Sequence, residues 1–290
     1  ADAALTAECE RPARAPVRAP APPPELAGPG ELPRISCLMV TRDRLSLARR
    51  SMRCYADQSY PHRELVVVCE GEAWYRRALE RYVEEHAIPD VRFVWAEPGA
   101  TLGALRNLSM EAAAGPVLCQ WDDDDCCHPD RLAAQYAHMA AEGARACFLT
   151  DHLQYLEQER LLFWIDWTMD GRVTDASQLF PGTVMLHADP RFRYPESGPY
   201  AQRGEDSVLV EQLFEAVPVA RLAGMGHLYL YRYHGRNTFG QDHHYNISAC
   251  GAPAAVALER EDAIRRAVRY FGIPRPVPLV GRDGPAFTIG

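Results

Sequence analysis

An α/β fold, with a mostly parallel central sheet flanked by helices, is predicted by three observations. Short apolar runs alternate with helical patterns from residue 35 to residue 150. The runs are continuously apolar, as expected of strands covered on both faces. Gly and Pro stand where helices should start or stop.

The elements follow in order. "ISCLMV" (35–40) reads as a strand, then polar "TRDR", then a helix over 45–57. "ELVVVC" (64–69) is a second strand, followed by a helix through "AWYRRALERYVEEH". "VRFVW" (91–95) is a third strand and "TLGALRNLSMEAAA" (101–114) a helix that Gly115-Pro116 ends. "PVLCQW" (116–121) is a fourth strand. Pro129 opens the next helix, Gly143 closes it, and "ACFLT" (146–150) is a fifth strand. The second half is less regular. A hairpin is expected over 152–167, a loop feeding a strand over 180–187 and an acidic-start helix over 204–216. A strand running into a polar loop is expected over 227–237, and one amphipathic helix over 254–272.

Residues 1–33 are Pro- and Ala-rich and read as a disordered arm or linker. Residues 34–250 read as the main α/β unit, with a regular half over 34–151 and a smaller, less regular half over 152–250. Residues 251–290 read as a C-terminal helix and tail.

Of the 290 residues, 47% are hydrophobic and 24% charged, an ordinary globular balance. The net charge of -8, with no basic block, gives no electrostatic footprint for nucleic acid. The nine cysteines are odd in number and form no CxxC pair, which suggests a reducing compartment without a disulfide framework. No apolar run approaches the roughly 20 residues of a membrane span, and residues 1–33 contain no hydrophobic signal core. A cytoplasmic protein is expected, and peripheral contact with the inner face of the membrane is compatible with it.

In open α/β sheets, ligands bind beyond the C-terminal ends of the strands. "TRDR", "EGE" and "DDDD" each fall at such an end and should gather on one edge. The run Asp122 to Asp125 is the most unusual of them. Neighbouring carboxylates repel until a cation relieves them. Mg²⁺ and Mn²⁺ suit carboxylate oxygens and keep waters and substrate phosphates in their shell. If the segment is extended, Asp122 and Asp124 face one side together, and Asp123 or Asp125 faces ribose hydroxyls or the fold. An acidic turn before a helix N-terminus would arise from the helix dipole alone. Its place after a buried-looking strand favours a functional use, with Asp125 left to serve the next helix.

Four segments in series, "ISCLMVTRDR", "QSYPHRELVVVCEG", "GALRNLSMEAAAGPVLCQWDDDDCCHPDRL" and "RGEDSVLVEQL", resemble family 2 glycosyltransferases. These are inverting nucleotide-sugar enzymes of the Rossmann-like GT-A fold. The resemblance covers about 34–240. It implies a nucleotide pocket at Thr41, Arg42 and Asp43. Glu70 takes the acidic position that contacts the base, although this chain has Cys69-Glu70-Gly71-Glu72 where an Asp pair before Gly-Ser is usual. Arg106, in an "ARN"-like segment, is implied near the nucleotide. Asp122 and Asp124 match the ends of the DxD motif and are implied as metal ligands for Mn²⁺ or Mg²⁺. Asp123 is assigned to ribose or metal. Glu205-Asp206 matches the "ED" pair, with Asp206 as general base. "YRYHGRNTF" resembles a later segment in which His234 would be a further metal or diphosphate contact and Arg236 and Asn237 would hold the diphosphate or the closing loop. Gly182, in "PGTV", would line the donor sugar. Trp164, Trp167, Phe180 and Tyr200 fall in the acceptor-side region.

The implied reaction is metal-dependent transfer from a nucleotide-diphosphate sugar, UDP-linked by preference, to a glycan, lipid-linked glycan, natural product or peptide. A nucleotidyltransferase is the closest rival, but the segment after the first strand lacks its glycines. A catalytically degenerate nucleotide-sugar-binding domain is the other alternative, and intact acidic motifs weigh against it.

Overall fold

The structure is a computed structural model that describes residues 32–169 and 178–290. The predicted Pro/Ala-rich arm therefore lies almost wholly outside the described residues. In chain order the elements begin β1 (Ile35–Thr41), α1 (Leu45–Ala56), β2 (Arg63–Cys69), α2 (Ala73–Glu85), β3 (Val91–Trp95), α3 (Leu102–Ala112) and β4 (Val117–Gln120). They continue with β5 (Cys126–Cys127), α4 (Arg131–Ala141), β6 (Ala146–Leu149), β7 (Asp151–Leu156), β8 (Leu161–Asp166), β9 (Met185–His187) and α5 (Glu205–Ala216). The rest is β10 (Val219–Leu222), β11 (Tyr229–Tyr233), α6 (Gln241–Ala249), α7 (Ala254–Leu258), α8 (Glu261–Tyr270), β12 (Val277–Gly281) and β13 (Gly284–Ile289).

Among the described residues these strands form two sheets. The larger has the order β10-β6-β9-β4-β1-β2-β3 and is parallel except for β9, which runs antiparallel between β4 and β6. The predicted mostly parallel sheet flanked by helices is thus present. β1 and β2 are buried on both faces, so they need no polar alternation. α1 covers one face with Leu47, Ala48, Met52 and Tyr55, a helical stripe.

The second sheet, in the order β13-β12-β8-β7-β11-β5, was not foreseen in the sequence. It begins directly after the aspartates, where Cys126 and Cys127 pair antiparallel with Leu230 and Tyr229. Both thiols are buried and pack as small apolar groups. Arg131 joins the two sheets. Its guanidinium is fully buried, 5.3 Å from the Trp121 ring centroid and 4.8 Å from that of Tyr229. It donates to the Gln120 carbonyl at 3.1 Å and to Cys127 Sγ at 2.9 Å.

Two expectations for the C-terminal region are corrected. The single helix over 254–272 is two helices, because the chain turns at Glu259-Arg260 and Arg260 caps α8 with φ -109°. The predicted tail is a hairpin whose inner strand, β12, meets β8 at Leu279 and Leu162. Residues 251–290 therefore complete the second sheet rather than standing apart. No helix among the described residues is long and apolar enough to cross a membrane.

α3 is capped by Thr101, whose hydroxyl accepts from the Ala104 N–H at 3.3 Å. Gly103 then passes so close to the 195–201 loop that a Cβ there would lie 1.9 Å from the Pro195 carbonyl oxygen. A backbone atom cannot rotate away as a side chain can. Gly103→Ala is expected to lower the unfolding free energy by about 1–3 kcal/mol, measured by urea denaturation at constant m-value. An unchanged midpoint would show that the 195–201 loop yields freely.

Candidate active site

The C-terminal edge of the larger sheet opens into a cleft of about 640 Å³. β1 delivers Thr41 to it, the end of β2 delivers Glu70, and the turn after β4 delivers the four aspartates. α5 closes one side with Glu205 and Asp206 in its first turn. Its N-cap is Gly204, at φ +79°, a left-handed backbone that suits glycine. Of the residues singled out in the sequence, Thr41, Arg42, Glu70, Arg106, Asp122, Asp123, Asp124, Gly182, Glu205, Asp206 and Asn237 all line this cleft.

The aspartates do not alternate as an extended segment would, because residues 123–125 form a bend. Asp122 meets Arg106 Nη2 at 3.1 Å, and its Oδ2 accepts from Gln120 Nε2 at 2.9 Å. Asp123 is almost fully buried. Its Oδ2 accepts from Thr41 Oγ1 at 2.6 Å and its Oδ1 from Arg44 Nη2 at 2.5 Å. Asp124 Oδ2 accepts from Arg44 Nη1 at 2.9 Å, and His234 Nε2 lies 3.3 Å from that same oxygen. Asp123 and Asp124 thus share one guanidinium, and Asp122 turns away towards α3.

Asp125 corrects a further expectation. It serves no helix N-terminus but is buried beneath β11, accepting from Tyr229 Oη at 2.6 Å and the Arg232 N–H at 3.1 Å. Burial raises its carboxyl well above the usual range, and the charges of Asp124 and Asp122 add to that rise. Burial likewise lifts Asp123, to about 7, against the pull of Arg44. Burial would also raise Asp124, but the His234 contact and the Arg44 charge outweigh it and hold that carboxyl below its ordinary value. One short turn therefore holds carboxyls pushed in opposite directions by their surroundings.

Arg106 is the link across the cleft. Its Nε donates to Glu205 Oε1 at 2.8 Å while its Nη2 holds Asp122. The neighbouring Asn107 points elsewhere and fixes the 194–196 loop, donating to the Tyr194 carbonyl at 2.9 Å and Glu196 Oε1 at 2.7 Å. Asp206, beside the paired Glu205, has no guanidinium in hydrogen-bond contact among the described residues; its Oδ1 accepts from the Ser207 N–H at 2.8 Å. Burial and the Glu205 charge raise the Asp206 carboxyl to about 6.

Glu70 Oε1 accepts from the Gly99 N–H at 2.5 Å, and its Oε2 lies 3.4 Å from Arg42 Nη1. A Cβ on Gly182 would come within 3.3 Å of Asp122 Oδ2, so a larger residue there would crowd that carboxylate. Asn237 braces the loop that carries His234. Its Oδ1 accepts from the His234 N–H at 3.0 Å and its Nδ2 donates to the Arg232 carbonyl at 2.8 Å.

Asp43, His234 and Arg236 do not line the cleft. Asp43 sits at φ +49° with Oδ1 beside Gly71, and the backbone N–H of the exposed Arg236 meets His234 Nδ1 at 3.3 Å. Trp167 and Phe180 line the cleft, whereas Trp164 is buried and Tyr200 is exposed. Sequence reasoning missed Arg44, Tyr231, Phe239 and His243, all of which line the cleft.

Comparison with known proteins agrees with this geometry. The family model described as Glycosyl transferase family 2 matches residues 36–184, about half of the chain. The chain is 29% identical over 172 residues to WcaA of Escherichia coli (strain K12), assigned by name as a colanic acid biosynthesis glycosyl transferase. That alignment covers 59% of this chain and 52% of WcaA. EpsH of Bacillus subtilis (strain 168), named as a glycosyltransferase, is 32% identical over 101 residues, covering 34% of this chain and 28% of EpsH. The chain thus spans about half the length of one curated relative and less of the other. Among solved structures, S. aureus TarS 1-349 in complex with UDP-GlcNAc superposes with a TM-score of 0.56 at 14% identity, covering 83% of this chain and 82% of that one. The Pyrobaculum calidifontis mannosyltransferase PcManGT, in complex with GDP-Man and Mn²⁺, gives 0.50 at 13% identity, covering 86% and 67%. At such identities the structures show a shared fold, the GT-A arrangement, and the match over 36–184 supplies the family: the chain belongs to glycosyl transferase family 2.

Proposed function

We propose that the chain is a metal-dependent inverting glycosyltransferase that moves a sugar from a UDP-linked donor to an acceptor hydroxyl, with Asp206 as the general base. The observation that carries the reading is the Asp122–Arg106–Glu205 link, which ties the aspartate turn to the first turn of α5 across one cleft. Asp206 lines the same cavity as Asp124, whose Oδ2 His234 Nε2 approaches to 3.3 Å.

The residues fit a divalent ion. Asp124 Oδ2 and His234 Nε2 face each other, and a carboxylate with an imidazole suits Mn²⁺. Among the described residues, no three His, Cys, Asp or Glu side chains converge as a complete metal cage. Asp124 and His234 would hold such an ion. When bound, such an ion neutralises charge on the departing nucleoside diphosphate.

The chain's own groups account for the remaining steps. Thr41, Arg42 and Glu70 border the end of the cleft suited to the base, and Glu70 keeps a carboxylate face beside Arg42. Gly182 leaves room beside Asp122 for the donor sugar. Glu205, held by Arg106, orients the first turn of α5. Asp206 accepts the acceptor's proton as that oxygen attacks the anomeric carbon and the diphosphate leaves. One displacement inverts the anomeric configuration. Trp167, Phe180 and Tyr231 supply aromatic faces on which a sugar acceptor can stack.

Asp206→Asn should lower turnover by about 10²–10⁴, the usual worth of a general base, with UDP-sugar affinity unchanged by calorimetry. Full turnover in that variant would remove Asp206 from the role. The pH dependence has a definite sign. A base works only when deprotonated, and the raised carboxyl loses its charge as pH falls through about 6. The kcat/KM profile should therefore rise to a plateau above about pH 6, whereas an ordinary aspartate would hold activity to about pH 4. A profile flat down to pH 4.5 would contradict the assignment. Thermal-shift measurements across UDP-, GDP- and dTDP-sugars should show stabilisation by a UDP-sugar that requires Mn²⁺ and is abolished by EDTA. Equal stabilisation with and without the ion would exclude metal dependence.

A further inference from the structure

The aspartate turn already carries a cation of its own. Arg44 stands at the N-cap of α1, three residues after Thr41, and lines the cleft. It reaches two carboxylates at once, Asp123 Oδ1 at 2.5 Å and Asp124 Oδ2 at 2.9 Å. The second contact is made to the oxygen that His234 Nε2 faces at 3.3 Å. An ion held between Asp124 and His234 needs that oxygen. A guanidinium and a divalent ion on one carboxylate oxygen repel each other, so the two occupants compete.

The two contacts of Arg44 differ in their support. Asp123 is held rigidly, because Thr41 Oγ1 bonds its Oδ2 at 2.6 Å and Tyr75 Oη in turn lies 2.5 Å from Thr41 Oγ1. The Arg44 side chain is 28% exposed and the Asp124 side chain 14%, so the second contact is open to the cleft. Arg44 can therefore stay on Asp123 and release Asp124. A nucleoside diphosphate entering the cleft offers new anionic oxygens both to a released guanidinium and to an incoming ion.

We propose that Arg44 is the resident counter-cation of the site and a positioning residue for metal binding. It occupies Asp124 in the free protein and yields that carboxylate when the donor's diphosphate arrives, so that metal and nucleotide bind interdependently. This rests on the metal-dependent reading of the site. It adds the residue that keeps the ion from binding alone.

The test is Mn²⁺ binding to the full chain, followed by the electron paramagnetic resonance signal of free Mn²⁺ with and without UDP. Wild-type protein is expected to bind Mn²⁺ weakly alone and about tenfold or more tightly with UDP, a coupling of ordinary size. Arg44→Gln should bind Mn²⁺ alone about tenfold more tightly than wild type and lose most of the dependence on UDP. Arg44→Lys, a point charge that cannot span both carboxylates, should fall between the two. Circular dichroism checks that each variant is folded, and Arg44→Lys carries the comparison if Arg44→Gln does not fold. Should wild type show UDP-linked Mn²⁺ binding while the folded variant binds Mn²⁺ alone no more tightly, the role of Arg44 is overturned and the metal-dependent reading stands. Should wild type bind no Mn²⁺ even with UDP, the metal-dependent reading falls and the proposal with it.

Discussion

Four consecutive carboxylates in a short turn are the constraint on which the rest of the site depends. Burying even one unpaired carboxylate is strongly unfavourable, and four in a row repel one another as well. The chain resolves this by giving each aspartate a partner from a different part of the fold. Asp122 takes Arg106 from α3, Asp123 takes Thr41 from β1, and Asp124 takes Arg44 from the start of α1 and His234 from the loop after β11. Asp125 takes Tyr229 and the Arg232 amide from β11 itself. The turn is thus where the two sheets and two helices meet.

That division explains why the second sheet begins where the aspartates end. β5 follows immediately and pairs with β11, so Asp125 lies under the strand it helps to fix. β11 then runs on to His234, and Asn237 closes the loop back onto the Arg232 carbonyl. Behind the cleft wall, His152 stacks on Phe180 with ring centroids 4.3 Å apart. Burial alone drives its imidazole down to about 3. It stays neutral and acts as an aromatic spacer, with no hydrogen-bond partner among the described residues for either ring nitrogen. The wall beneath Phe180 and Tyr231 is therefore built from rings rather than from further charges.

The parallel sheet was legible because its strands are long apolar runs, and the edge of the cleft followed from where those runs stop. The local paths were less so. The aspartates were read as an extended segment, but the chain bends there and Arg44 gathers Asp123 with Asp124. α6 left no apolar stripe, because its buried face is His244, Ile247 and Ser248. The β12–β13 hairpin was obscured by Pro276 and Pro278, which argue against a central strand. β12 meets β8 at a single register pair, Leu279 with Leu162, so a proline beside that pair is tolerated. Arg44 was missed for a different reason. A guanidinium that bridges two carboxylates some eighty residues away has no local signature; only the packing of β1 beside β4 brings them together.

The same logic distinguishes the two acids at the start of α5. Both sit at a helix N-terminus, where the dipole favours negative charge, and sequence treats them alike. The fold does not. Glu205 is buried, and Arg106, already on Asp122, neutralises it. Asp206 is half-buried on the cleft wall, where burial and then the Glu205 charge raise its proton affinity against the pull of Arg106. Arg106 therefore does more than join two walls of the cleft. By pairing with Glu205, it gives two adjacent acids different surroundings: one held against a guanidinium, the other facing the cleft.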